Sequence, residues 1–206
     1  MGGHGAGDIA SRLAIESLRA CVNLRPLFVE AVLAALEEAN RIIIEQDAAD
    51  RMGTTITGLA MLETVGDAPL MVFNVGDSRV YRLTAGQLEQ VTTDHSEVQE
   101  LLEAGVIDRE QARVHPRRNI ITRALGSDSV LRAEHWLLPV IAGDRYLICS
   151  DGLYGELPDE LIMPLLAVGD AEHAAAQLVD AANDAGGRDN VTVIVVDVER
   201  ADDGAA

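Results

Sequence analysis

Three aspartates stand where strand-like runs give way to loops: Asp94 in Thr93-Asp94-His95, Asp151 in Cys149-Ser150-Asp151-Gly152-Leu153, and Asp189 in Gly186-Gly187-Arg188-Asp189-Asn190-Val191. A carboxylate at a strand end is held by a rigid element while it faces an open loop, which suits it to holding a cation in a cleft. Oxygen donors without neighbouring Cys or closely spaced His pairs select hard ions, Mg2+ or Mn2+, over Zn2+. Two such ions about 4 Å apart polarise a phosphoryl group and make a bridging water acidic enough to attack phosphorus, so no protein nucleophile is required. Ser78 fits that picture, because no base adjoins it in the sequence. Asp-Gly and Asp-Asn are also ordinary turn pairs, and spacing alone leaves Asp151 and Asp189 open to either role.

The elements that must position these carboxylates read as follows. Asp8 can cap a first helix through Ile9, Leu13 and Leu18, and Pro26 suits the first turn of a second helix running to about Gln46. From Gly53 the pattern turns to strands, 54–62, 70–75 and 79–83 separated by Gly-Asp turns and 87–91 after Ala85-Gly86, which predicts an antiparallel meander with Asp77 and Arg79 shaping a hairpin. Residues 94–127 break the rhythm with two short helices, one opened by Ser96-x-x-Gln99 and closed by Gly105, the other spanning about Asp108 to Val114. Strands resume at Glu134–Leu138 and Arg145–Cys149, helices follow at 159–166 and 171–185, and 191–198 supplies a last strand. This order does not alternate as βαβ units do, so it argues against a doubly wound parallel sheet and for sheets covered by helix pairs.

Composition narrows the partners. With 206 residues and 48% hydrophobic content the chain can bury one sizeable core, and with 3% aromatics that core must be aliphatic. A formal net charge of −18 repels a phosphate backbone, and the scarcity of aromatic stacking platforms points the same way, so nucleic acid is not an expected partner. All 16 basic residues are Arg, which carries no chemistry of its own. Cys21 and Cys149 form neither a C-x-x-C pair nor a disulfide framework and read as small core residues. No apolar run approaches the ~18 residues of a membrane span, so a cytoplasmic protein is expected.

Six phrases in order resemble the bacterial branch of the type 2C, metal-dependent serine/threonine protein phosphatase family: Met1-Gly-Gly-His-Gly-Ala-Gly-Asp-Ile-Ala-Ser11, Met52-Gly-Thr-Thr55, Val75-Gly-Asp-Ser-Arg79, Thr93-Asp-His95 with Arg123-Ala-Leu-Gly126, Cys149-Ser-Asp-Gly-Leu153 and Gly186-Gly-Arg-Asp-Asn-Val191. The resemblance implies an α+β fold, a four-layer α-β-β-α sandwich of two antiparallel sheets flanked by helix pairs. It implies one domain over residues 1–199, a helical flap at about 95–125, and a disordered tail at 200–206. It also implies a binuclear Mn2+ or Mg2+ site with Asp151 and Asp189 as ligands, and Asp94 helping to hold a third ion beside the flap. His4 would hydrogen-bond phosphate or protonate the leaving alkoxide, and Arg188 would serve as a salt-bridge partner.

The implied activity is hydrolysis of phosphoserine and phosphothreonine in proteins, opposing a serine/threonine kinase; a non-catalytic phosphatase-like binding module is the alternative. In the family an Asp-Gly that bridges the two metals would stand just before Met1, preceded by two strands. The expectation is therefore that these 206 residues lack the N-terminal strands and the bridging carboxylate, bind metal weakly and turn over slowly.

Overall fold

The computed structural model describes residues 4–47, 52–63 and 68–200. In chain order the elements are α1 (His4–Val22), α2 (Val29–Gln46), β1 (Ile56–Met61), β2 (Leu70–Val75), β3 (Arg79–Thr84), β4 (Gln87–Gln90), α3 (Glu97–Glu103), α4 (Arg109–Val114), β5 (Glu134–Leu138), β6 (Arg145–Cys149), α5 (Asp151–Tyr154), α6 (Asp159–Leu166), α7 (Ala171–Ala185) and β7 (Val193–Asp197). They divide into two compact units, Met1–Ser78 with Thr93–Leu138, and Arg79–Thr92 with Pro139–Ala206.

The first unit holds an antiparallel sheet in the order β1-β2-β5. Apolar residues at helical spacing on α2, Val32, Leu36, Ala39 and Ile43, pack with Ala10 and Ala14 of α1 onto Met71, Phe73 and Val75 of β2. Leu36 and Ile43 are fully buried; burying one such side chain stabilises by about 1.5–3 kcal/mol relative to leaving it exposed. One polar group enters this helix's inner face at no loss: Asn40 donates from Nδ2 to Asp128 O (2.8 Å) and accepts at Oδ1 from the Gly126 N–H (2.8 Å).

The second unit holds an antiparallel sheet in the order β4-β3-β6-β7. Tyr81, Leu147 and Cys149 from its strands pack with Leu153, Ile162, Leu166, Leu178 and Ala182 from α5, α6 and α7. A buried ion pair fastens the strands: Arg82 Nε and Nη2 both donate to Asp144 Oδ2, at 2.8 and 2.5 Å. Each unit is thus a helix layer on an antiparallel sheet, with its own core, mostly aliphatic but holding Phe73 in one and Tyr81 in the other.

Three local expectations are corrected. The α1 helix begins at His4, so Asp8 lies inside it and caps nothing. The α2 helix begins at Val29 after an extended Phe28 (φ −116, ψ 160), leaving Pro26 in the connection. The meander breaks in its middle, because β2 pairs with β1 and β5 whereas β3 pairs with β4 and β6. Val75-Gly-Asp-Ser-Arg79 is therefore a passage from one sheet to the other, not a hairpin. Gly76 makes that exit possible: its φ is +116, and a Cβ there would meet Thr55 Cγ2 at 2.4 Å.

Candidate active site

The Asp151 carboxylate is placed by the end of β6. Ser150 leaves the strand in an extended conformation (φ −79, ψ 169), and Asp151 is the first residue of the four-residue helix α5. That segment is stitched to the loop carrying Asp189. The Ser150 N–H donates to Thr192 O (3.1 Å), Ser150 Oγ donates to Asn190 O (3.2 Å), and the Thr192 N–H donates to Ser150 Oγ (3.0 Å). Gly152 lets the two backbones touch: a Cβ there would lie 2.3 Å from Asn190 O, a clash with backbone that no side-chain rotation relieves.

The result is an electrostatic pair. Burial pushes the Asp151 carboxyl above the ordinary carboxylate range, and the negative charge of Asp189 pushes it further, against hydrogen bonds from the backbone of Gly152 and Asp151 itself. Asp189 is exposed, and its Oδ1 accepts from the Asn190 N–H at 2.7 Å. Two carboxylates held close enough to repel one another form a hard-oxygen donor set that gains from a divalent cation. Among the described residues no group of three or more His, Cys, Asp or Glu is gathered as a metal cluster.

Asp94 belongs to the other unit and is buried. Its backbone neighbours hold it to the end of β2: Asn74 Nδ2 donates to Thr93 O (3.2 Å), and the His95 N–H donates to Gly76 O (2.9 Å). The predicted flap closes at its base through the Thr122 N–H to His95 O (2.8 Å) and the Glu97 N–H to Ile120 O (2.9 Å). The Ser96 cap stands as the sequence reads, and a second cap, at Asp108, joins it. Ser96 Oγ accepts from the Gln99 N–H, and Asp108 with Gln111 forms a complete capping box before α4. His4 opens α1, and its side chain lies outside the described residues.

Several partners were invisible in sequence. The Arg79 guanidinium lies 3.6 Å over the Tyr154 ring and donates to Tyr81 Oη (2.8 Å), which in turn donates to Asp159 Oδ1 (3.1 Å). So Arg79 braces the helix that begins with Asp151, rather than shaping a hairpin. Arg188 is a salt-bridge partner as expected, and the partner is Glu156.

No protein-family model matches the chain. The serine/threonine phosphatase stp of Listeria monocytogenes is 35% identical over 208 residues, covering 96% of this chain and 81% of that protein. The chain belongs to the bacterial type 2C family of serine/threonine protein phosphatases. Another member, the serine/threonine protein phosphatase PstP of Mycobacterium tuberculosis, is 38% identical over 204 residues; the match covers 96% of this chain and spans 39% of that relative's length. The S. agalactiae serine/threonine phosphatase superposes with a TM-score of 0.87 at 34% identity, over 97% of this chain and 84% of that one. The catalytic domain of PstP in complex with two manganese ions superposes with a TM-score of 0.78 at 36% identity, over 97% and 85%. The type 2C fold thus accounts for both antiparallel sheets and their helices, and the Asp151–Asp189 pairing fits the hard-cation chemistry of such a phosphatase.

Proposed function

We propose that the protein hydrolyses phosphoserine and phosphothreonine in other proteins, with Mn2+ or Mg2+ held by Asp151 and Asp189 and a further ion held with the help of Asp94. The observation that carries this reading is the coupling of Asp151 to Asp189 within one stitched pair of loops. The relatives named above, and the two manganese ions described for PstP, support it. Bound divalent ions supply Lewis-acid polarisation of phosphoryl oxygens and a more acidic water.

The chain's own part is to hold and shield. Asp151 supplies a half-buried carboxylate at a helix start, and Asp189 supplies an exposed one that meets solvent and substrate. His4 is the proposed proton donor to the departing alkoxide. The physiological substrate class is a cytoplasmic phosphoprotein whose phosphate a serine/threonine kinase installs. Residues 1–199 act as one domain, and 95–125 act as the flap over the substrate. Two carboxylates are few ligands for two ions, so the 206-residue polypeptide alone is expected to bind Mn2+ weakly and to turn over slowly.

The test is phosphate release from a phosphothreonine peptide. Slow release that requires Mn2+, stops with a chelator and falls at least about tenfold in Asp151→Asn supports the phosphatase reading. Release that ignores both the chelator and the substitution contradicts it. Phosphopeptide binding without any release favours a binding module.

A further inference from the structure

Asp189 is anchored on both sides to the segment that carries Asp151. On its C-terminal side Asn190 O accepts from Ser150 Oγ and abuts Gly152. On its N-terminal side Arg188 grips Glu156, two residues past the end of α5. Arg188 Nε donates to Glu156 Oε1 (2.7 Å), Nη2 donates to Oε2 (3.0 Å), and the Arg188 backbone N–H also donates to Oε1 (3.2 Å). Nη2 further donates to Gly155 O (3.3 Å). The Glu156 side chain is 5% exposed and that of Arg188 66% exposed, so the carboxylate is the fixed half and the guanidinium closes over it from solvent.

A two-point fork of this kind fixes orientation as well as distance, which a single contact or a lysine cannot do. The flanking residues of Asp189 are therefore pinned at two places to one rigid body, the turn from Ser150 to Glu156. Groups that orient metal-binding side chains typically change metal affinity 10–100-fold when removed.

We propose that Glu156 and Arg188 form a positioning clamp that sets the spacing of the Asp151 and Asp189 carboxylates for a divalent cation. The proposal rests on the reading of those two aspartates as metal ligands. It differs in sign from plain electrostatics. Removing the positive charge of Arg188 beside a cation site would by Coulomb's law tighten cation binding, whereas loss of the clamp weakens it. Removing Glu156 weakens binding on either view. Because both residues act through one link, losing both costs no more than losing either.

The experiment is a Mn2+ titration of the 206-residue protein, read as paramagnetic broadening of the backbone amides of Gly152 and Asn190. The wild type, Asp151→Asn, Glu156→Gln, Arg188→Gln and the Glu156→Gln/Arg188→Gln double variant are compared. The clamp predicts that both single variants and the double need about tenfold more Mn2+. Broadening in Arg188→Gln at the same or lower Mn2+ overturns it. Should Glu156→Gln fail to fold, Arg188→Gln, altered at an exposed side chain, still decides. A wild type whose amides at 152 and 190 do not broaden refutes the metal-ligand reading, and the clamp with it. Broadening that disappears in Asp151→Asn but is unmoved in Arg188→Gln overturns the clamp alone.

Discussion

The backbone N–H of Gly76 donates to Nδ1 of His95 across 3.0 Å, which fixes the imidazole as its Nε2–H tautomer. That proton faces Glu134 Oε1 at 3.3 Å, and Arg123 Nη1 pairs with the same carboxylate oxygen at 2.8 Å. One buried ring thereby ties the exit of β2 to the base of the flap. Burial, and then the charge of Arg123, lowers the His95 pKa, consistent with a neutral ring. Replacing His95 with Ala leaves a buried N–H without its acceptor, a loss expected to cost about 1–3 kcal/mol in urea unfolding. Asn, whose Oδ1 can take the place of Nδ1, is expected to lose less than half of that.

Tyr146 offers the opposite case. Its ring is fully buried, and its hydroxyl is without a hydrogen-bond partner among the described residues. Burial raises its pKa above the ordinary 10, with the positive charge of Arg82 opposing. A raised folded-state pKa means that the fold prefers the neutral phenol. Its contribution is fully present below pH 10 and is lost as pH rises through the folded value. Tyr146→Phe is therefore expected to be neutral or to stabilise by up to about 1 kcal/mol at pH 7, and to flatten the loss of melting temperature above about pH 10. A destabilisation of about 2 kcal/mol at pH 7 would contradict it.

Gly152→Ala drives a methyl group to 2.3 Å from Asn190 O, so the turn carrying Asp151 and the loop carrying Asp189 must separate. The expected cost is about 1–3 kcal/mol of stability. Calorimetric Mn2+ binding should weaken together with it, in contrast to Gly86→Ala, where φ is +77 and a side chain is strained but no atom lies within 4 Å of an added Cβ, so that stability falls and Mn2+ binding does not.

Asp151→Asn should stabilise the metal-free protein while removing its response to metal. The raised pKa of Asp151 means that ionising it costs the fold: the contribution of its neutral form is present below about pH 3.8 and lost as pH rises through the folded value. At pH 7 in chelator the Asn variant is therefore expected to melt about 1–3 °C above wild type. With Mn2+ the order should reverse, since only the wild type gains stability by mass action.

How much of this was legible in sequence depended on the range of each interaction. The Ser96 cap, the short helix ending at Val114, the strands at 134–138 and 145–149, and the helices at 159–166 and 171–185 are set by residues within a few positions of one another, and they stand where the pattern put them. Gly76-Asp77 reads the same whether the chain doubles back or leaves its sheet, because the choice lies in distant partners, Thr55 and His95. The helix α5 escaped because four residues carry no period, and Asp8 was misjudged because a cap-like residue can equally lie inside a helix. Of the site, Asp151 and Asp189 were named from ordered phrases. Glu156, 32 residues from Arg188, carried no local signal at all.

The most direct measurement is anomalous X-ray scattering at the manganese edge from crystals of the protein soaked in Mn2+. The predicted result is a peak within about 2.5 Å of a carboxylate oxygen of both Asp151 and Asp189, absent in Asp151→Asn crystals. No peak between those two carboxylates at saturating Mn2+, or an unchanged peak in the variant, would contradict the assignment of this pair as the metal site of a type 2C phosphatase.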